Sequence, residues 1–135
     1  MDNSEDQFQE LIAQLVGRAN RMLAERSDVF PMGFLLASNG NLNVSVVAYE
    51  SVAQIPELLS ALQASMSEKA RNGHAVASCI AYLDYDAGEI IAFLENNENY
   101  CATVRIPVVS SPTPATDLEN ITVEDGSIHV FPVNG

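Results

Sequence analysis

The sequence predicts an α+β fold, an antiparallel β-sheet of about five strands with two helices packed on one face. Three observations carry that reading. Apolar residues recur at helical spacing twice, within the first 27 residues and again between Ile55 and Met66. Elsewhere the apolar period falls to that of strands, with Gly, Asn, Asp and Pro at the joints. The chain is 47% apolar over 135 residues, enough for one core that takes roughly two-thirds of the unfolded surface out of water. Residues 1–135 therefore read as a single domain, with elements in the order α-β-β-α-β-β-β and then a short β tail.

The first helix rests on Phe8, Leu11, Ile12, Leu15, Val16, Ala19, Met22 and Leu23, whose alternating steps of three and one form a continuous stripe. Ser4 and Gln7 have the spacing of a capping box, and the helix ends near Ser27 or Asp28. Pro31 and Gly33 interrupt. Phe34 to Ala37 then leads into Asn39-Gly40, a pair that favours a type I′ turn, and Leu42 to Tyr49 returns as the second strand of a hairpin. Pro56 suits the first turn of the second helix, where its missing N–H has no partner to lose. Ile55, Leu58, Leu59, Leu62 and Met66 supply the stripe of that helix, and Gly73 is placed to cap it. Ser51 is the alternative start, one that sets Pro56 too deep in the helix.

Ala75 to Leu83, Glu89 to Glu95 and Tyr100 to Val109 read as a three-stranded meander, with turns at Asp84 to Gly88 and Asn96 to Asn99. Pro107 puts the third strand at an edge or at its end. Residues 110–120, carrying Pro112 and Pro114, connect to a short C-terminal β segment. That segment reads as a hairpin of Ile121 to Val123 and Ile128 to Phe131 about Glu124-Asp125-Gly126-Ser127. In Ile90-Ile91-Ala92-Phe93-Leu94 both alternating faces are apolar, whereas a half-solvated strand alternates cleanly. With the helices on one face, the other is covered by the C-terminal tail or by a second copy in a homodimer.

The formal charge is −12, from 18 acids against 6 bases. Residues 1–71 hold nine acids and five bases, giving −4, and residues 72–135 hold nine acids and one base, giving −8. Such a surface repels nucleic acid and anionic lipid and attracts a basic protein. The bases Arg18, Arg21, Arg26, Lys69 and Arg71 fall in the C-terminal parts of the two helices, where cations complement the helix dipole. No run approaches the roughly 20 apolar residues that span a bilayer. The N-terminal Asp2, Glu5 and Asp6 replace the basic start of a secretory signal, so the chain reads as cytosolic.

Asp84-x-Asp86-x-Gly88-Glu89 invites comparison with a calcium loop, but its glycine is fifth instead of sixth and its twelfth residue, Glu95, lies beyond a strand. A solvated hairpin turn explains the same residues. Cys79 and Cys101 sit mid-strand among Ala, Ile and Val, which suits small core residues; a Cys/His site would need His74 or His129 brought close by the fold. Two histidines without a third ligand cluster do not make a zinc site. No Gly-x-Ser-x-Gly elbow or phosphate-cradling glycine loop occurs, and Arg105 is more simply the partner of a neighbouring acid than a ligand clamp. No catalytic residue, metal or cofactor is assigned.

Phe30-Pro31-Met32-Gly33-Phe34, after a long helix and before an Asn-Gly hairpin, resembles a segment of small bacterial α+β proteins in which an aromatic-x-Pro-Phe-Gly-like run starts the first strand. Met32 stands where an aromatic is expected. The element order is also similar to that of the dimeric roadblock and longin scaffold domains, and more distantly to acidic secretion chaperones. Roadblock domains end in a helix, for which Thr113 to Asn120 is short and proline-bound. The first resemblance implies a bacterial origin and brings no activity with it. The functional expectation is a non-catalytic, acidic protein-interaction domain of immunity, chaperone or scaffold type that binds a basic partner protein. Asp84, Asp86, Glu89, Glu95 and Glu98 are its candidate contact residues, although successive meander turns lie at opposite ends of a sheet and so need not form one patch. The alternative is a small-molecule-binding domain or enzyme with a pocket between helices and sheet, drawing on Tyr49, Tyr82 and Arg105, with Tyr85 and a cysteine.

Overall fold

The computed structural model describes residues 4–26, 28–73, 75–110 and 113–132; His74 and Pro112, both considered above, lie outside them. Helix α1 spans Ser4–Arg26 and α2 spans Ile55–Asn72. The strands are β1 (Met32–Ala37), β2 (Leu42–Val46), β3 (Ala75–Asp84), β4 (Glu89–Asn96), β5 (Cys101–Val109), β6 (Ala115–Thr116) and β7 (Thr122–Asp125). They form an antiparallel sheet in the order β2-β1-β3-β4-β5, with β6 and β7 both on the outer edge of β5. Both helices and the five long strands stand within a few residues of their expected places; the tail raises the strand count to seven.

The two helices lie on opposite faces of the sheet, which corrects the expectation that they share one. Leu11, Leu15, Ala19 and Leu23 of α1 join a core with Met32 and Phe34 of β1, Cys79 and Ala81 of β3, and Ile90 and Ala92 of β4. Leu62 and Met66 of α2 join a second core with Leu35 of β1 and Ile80 of β3, the alternate residues of the same strands. Successive strand residues point to opposite faces, so the cores are separate layers. Strand β4 imposes this, because Ile90, Ala92 and Leu94 need cover on one side while Ile91 and Phe93 need it on the other.

Helix α2 links the parallel strands β2 and β3 and so crosses β1, which lies between them. Gly33 marks the crossing, where an added Cβ would stand 2.5 Å from Met66 Sδ and 3.0 Å from Leu62 Cδ1. The C-terminal Val130 and Phe131 complete this second layer. The second face is thus covered from within the chain, and the case for another subunit that rested on its exposure loses its premise.

Three local expectations are also revised. In the β1–β2 hairpin, Ala37 N donates to Asn41 O (2.8 Å) and Gly40 N to Ala37 O (3.0 Å), closing a three-residue loop. Gly40 alone there takes a positive φ (+90°), whereas a type I′ turn needs two such residues. At the start of α2, Ser51 caps a 3-10 turn (Val52–Gln54) with a complete capping box, and that turn hands the chain to α2 with Pro56 at its beginning. Both candidate start signals are used. Gly73 closes α2 in extended backbone, without the left-handed cap.

Pro107 does not end β5. Its carbonyl accepts the Asp117 N–H (2.8 Å) on the outer side of the strand, so its ring nitrogen faces the same way. There a 3-10 turn, Leu118–Asn120, separates β6 from β7, and no ladder bond is lost. The tail forms no hairpin either: β7 runs through the expected turn residues Glu124 and Asp125 and pairs with β5.

Residues 128–131 are held by a side chain instead of a strand. Glu95, 1% exposed, accepts N–H bonds from His129, Val130 and Phe131, each at 2.8 Å. Its neighbour Asn96 is equally buried and points to the other face. Asn96 Nδ2 donates to Ser4 Oγ (2.6 Å) and Gln7 Oε1 (3.2 Å), the pair expected to cap α1, while its Oδ1 accepts from Glu98 N and Tyr100 N (3.0 and 3.1 Å).

Replacing a carboxylate that takes three amide protons by an amide turns one oxygen into a donor facing donors. Glu95→Gln is expected to cost about 2 kcal/mol. Asn96→Asp sets a carboxylate against the oxygens of Ser4 and Gln7 and is expected to cost a similar amount, about 1–3 kcal/mol. Urea unfolding measures both, and amide exchange separates them: the first variant should speed exchange at residues 129–131, the second in the first turns of α1.

Candidate functional site

The sheet is wider than one helix on the α1 face. Helix α1 crosses it obliquely, from β4, where Asn96 holds Ser4, to β6, where Asn20 Oδ1 accepts from the N–H and hydroxyl of Thr116 (2.9 and 3.1 Å). A groove of about 1000 Å³ remains between the N-terminal half of α1 and the outer edge of the sheet. Phe8, Ile12 and Val16 form its helix wall, Leu94, Ala102 and Val104 its floor, and Leu118, Ile121 and Val123 its outer wall.

Part of this lining is bare. Leu118 is 53% exposed and Val123 68%, while Tyr100 at the mouth is 52% exposed. Clustered apolar exposure of this kind marks a contact surface more often than a scatter of single residues does. Among the lining residues Glu5 alone is charged. Asp125 pairs across from Ala102, and directly opposed residues share a face, so a second carboxylate stands at the end of the floor. The polar groups Ser4, Glu5, Gln9 and Tyr100 gather at one end. The groove therefore offers apolar contact along its length and hydrogen bonding at its mouth.

The acids singled out from the sequence are divided by the fold. Asp84 Oδ1 accepts from Asp86 N and Ala87 N (3.1 and 3.2 Å), and Gly88 takes a positive φ (+67°), which is turn chemistry. Glu89 bonds Arg105 Nη1 (3.0 Å), whose Nε bonds Glu124 (2.7 Å). Asp86 and Glu98 are exposed at the two turns flanking β4, about 25 Å apart at the rise of a strand. Glu95 is withdrawn from the surface altogether, because the tail occupies its carboxylate. The contact residues expected from the sequence thus include one that no partner can reach.

Tyr49, Tyr82 and Arg105 do not converge on one pocket. Tyr82 and Arg105 lie in one row across the sheet with Ile91 between them, and Tyr82 stacks on Phe93, which contacts the His129 ring. Tyr49 sits elsewhere: its hydroxyl donates to Asp28 Oδ1 (3.0 Å) and meets Tyr85, whose hydroxyl also donates to Asp28. Burial, and then the Asp28 carboxylate, raise Tyr85 well above the ordinary tyrosine range. Burial also raises Tyr49, and the Tyr85 hydroxyl offsets part of that rise. This cluster ties the α1–β1 and β2–α2 connections to the β3–β4 turn.

Cys79 is fully buried under α1, and burial pushes its thiol up to about 12. Cys101 is half-buried and stands opposite Glu95, which places its thiol on the α2 face, away from the groove. Among the described residues no group of three or more His, Cys, Asp or Glu is placed to hold a metal ion, and no helix is long and apolar enough to cross a membrane.

Reasoning from sequence missed the groove, although its signal was present. The apolar stripe of α1 is wider than one sheet contact consumes: Leu11, Leu15, Ala19 and Leu23 are buried, while Phe8, Ile12 and Val16 stay half-buried. The outer wall comes from a stretch read only as connector and hairpin.

A native-state thiol assay should label Cys101 readily and leave Cys79 unmodified until the protein unfolds; equal rates would contradict the burial of Cys79. The tyrosines give a pH dependence. A raised folded-state pKa means a stabilising contribution that is complete below the unfolded value, about 10, and lost as pH rises through the folded values. Melting temperature should fall as the pH climbs above about 10, and more shallowly in Asp28→Asn, where the carboxylate no longer opposes ionisation. Comparison with protein-family models, with curated proteins and with solved structures gives no match, so the role of this groove is read from its own chemistry.

Proposed function

We propose that the protein is a non-catalytic, acidic interaction domain that acts by binding a basic partner protein, in the manner of an immunity, chaperone or scaffold domain. The observation that carries the reading is the apolar groove beside α1, with Leu118, Val123 and Tyr100 bare on its rim and Glu5 and Asp125 as its charges. Apolar contact supplies affinity, and acids at the edge steer a basic partner and reject acidic ones. The surplus of negative charge adds to that attraction over the roughly 8 Å that salt leaves unscreened.

A small apolar molecule is the competing occupant. The volume lies at the upper end for such sites, and a small-molecule pocket ordinarily places a few convergent polar groups within an apolar cavity. Here the polar groups stand at the mouth, which favours a long ligand entering from the surface.

The test is capture from the native host with tagged protein, followed by reconstitution of each binary complex from purified components at two salt concentrations. A basic protein that binds in the reconstituted pair, and loses affinity about tenfold or more between 50 and 500 mM salt, is the expected result. Binding only to acidic proteins, or affinity indifferent to salt, would contradict the proposal.

A further inference from the structure

We infer that the groove receives one amphipathic α-helix of about three to four turns, apolar on the face it buries and carrying Lys or Arg along both flanks. This deepens the function proposed above and rests on it. Three features of the site select a helix.

Width is the first. Neighbouring strands are about 4.8 Å apart and a helix is about 10 Å across, so the two strands β5 and β7 beside α1 leave room for one more helix in the same layer. Length is the second. The lining positions on α1 run from Ser4 to Gly17, which is about 20 Å of helix and matches between three and four turns of an occupant lying alongside.

Backbone chemistry is the third feature. The floor strand β5 is already paired on both edges, with β4 and with β7, so the floor has no free ladder for an extended peptide. The outer edge of β7 is short, fully exposed and carries Glu124 and Asp125, features that guard an edge against strand addition. A helix satisfies its own backbone and asks the groove only for apolar contact.

Charge selects the composition. Glu5 on the helix wall and Asp125 on the sheet wall face an occupant from its two sides, and Glu119 adjoins the bare Leu118. Bases along both flanks of the bound helix would meet these carboxylates. A second copy of this chain would bring its own −12 and the same acidic rim into contact, which disfavours it as occupant.

The probes are three synthetic 14-residue peptides: a Leu/Lys amphipathic helix, a scramble of it without an apolar face, and a Leu/Glu counterpart. A thiol introduced by Leu118→Cys in a Cys101→Ser background serves as the footprint, since Leu118 is 53% exposed on the groove rim and Cys79 is buried beneath α1. The Leu/Lys helix should bind, slow the labelling of that thiol about tenfold at saturation, and lose about tenfold in affinity to Val123→Asp, a change at a 68% exposed site that leaves the melting temperature unaltered. Ile12→Glu should act likewise.

Binding of the scramble as tightly as the amphipathic peptide, or binding without protection of the introduced thiol and insensitive to Val123→Asp, overturns the groove inference while leaving a basic partner for the acidic surface. Protection of the introduced thiol in the protein alone, with a dimer in light scattering, assigns the groove to a second copy and also overturns it. Failure of any basic protein to bind in the reconstitution described above overturns the functional proposal itself, whatever the peptides do.

Discussion

Glu95 and Asn96, adjacent at the end of β4, hold both ends of the described chain, and on opposite faces of the sheet. Glu95 turns toward the α2 layer and collects three amide protons from residues 129–131. Asn96 turns toward α1 and bonds its first turns at Ser4 and Gln7. A carboxylate buried to 1% exposure is tolerated only when its hydrogen-bonding capacity is filled. The tail must therefore lie where it does, and in lying there it delivers Val130 and Phe131 to the second core. The two ends are locked by one strand terminus because the pleat sends neighbouring side chains to opposite faces.

Strand β4 imposes the layering in the same way. Ile90, Ala92 and Leu94 are satisfied by α1, while Ile91 and Phe93 lie on the face of α2 and the tail. Small residues under α1, at Ala77, Cys79, Ala81 and Ala92, let the helix sit close to the sheet. The segment Phe30 to Phe34 joins the layers. Met32 and Phe34 enter the α1 core, Gly33 lies under α2, and Phe30 packs edge-on to Tyr49 beneath the Arg26 guanidinium.

The apolar run of β4 was legible as a strand needing two covers, since alternation is a local property of five successive residues. Which element supplied the second cover was not, because that depends on the crossover of α2 over β1, a matter of topology. Asn39-Gly40 located a hairpin but not its turn, since the turn type depends on loop length as well as on the glycine. Glu95 and Asn96 looked like the solvated acid and amide of a turn. Their burial is caused by partners some 35 and 90 positions away in the chain, which no local pattern carries. Arg105 paired with acids, as a lone strand arginine should; that those acids are Glu89 and Glu124 required the β5–β7 register. The groove was half legible, in a helical stripe broader than one sheet contact uses.

An exposed apolar groove and a charge of −12 are complementary features of one surface. Charge repulsion between copies is screened over about 8 Å at physiological ionic strength, so the total charge does little at long range. At contact the placement matters more than the total. Glu5 lines the groove and Asp125 stands at the end of its floor, so a second copy would meet them with its own acids as its apolar rim was buried. A basic partner meets the same carboxylates with gain. On the proposed reading, the acids make an apolar surface that would otherwise associate indiscriminately discriminate by charge, without occupying the apolar floor that would supply affinity.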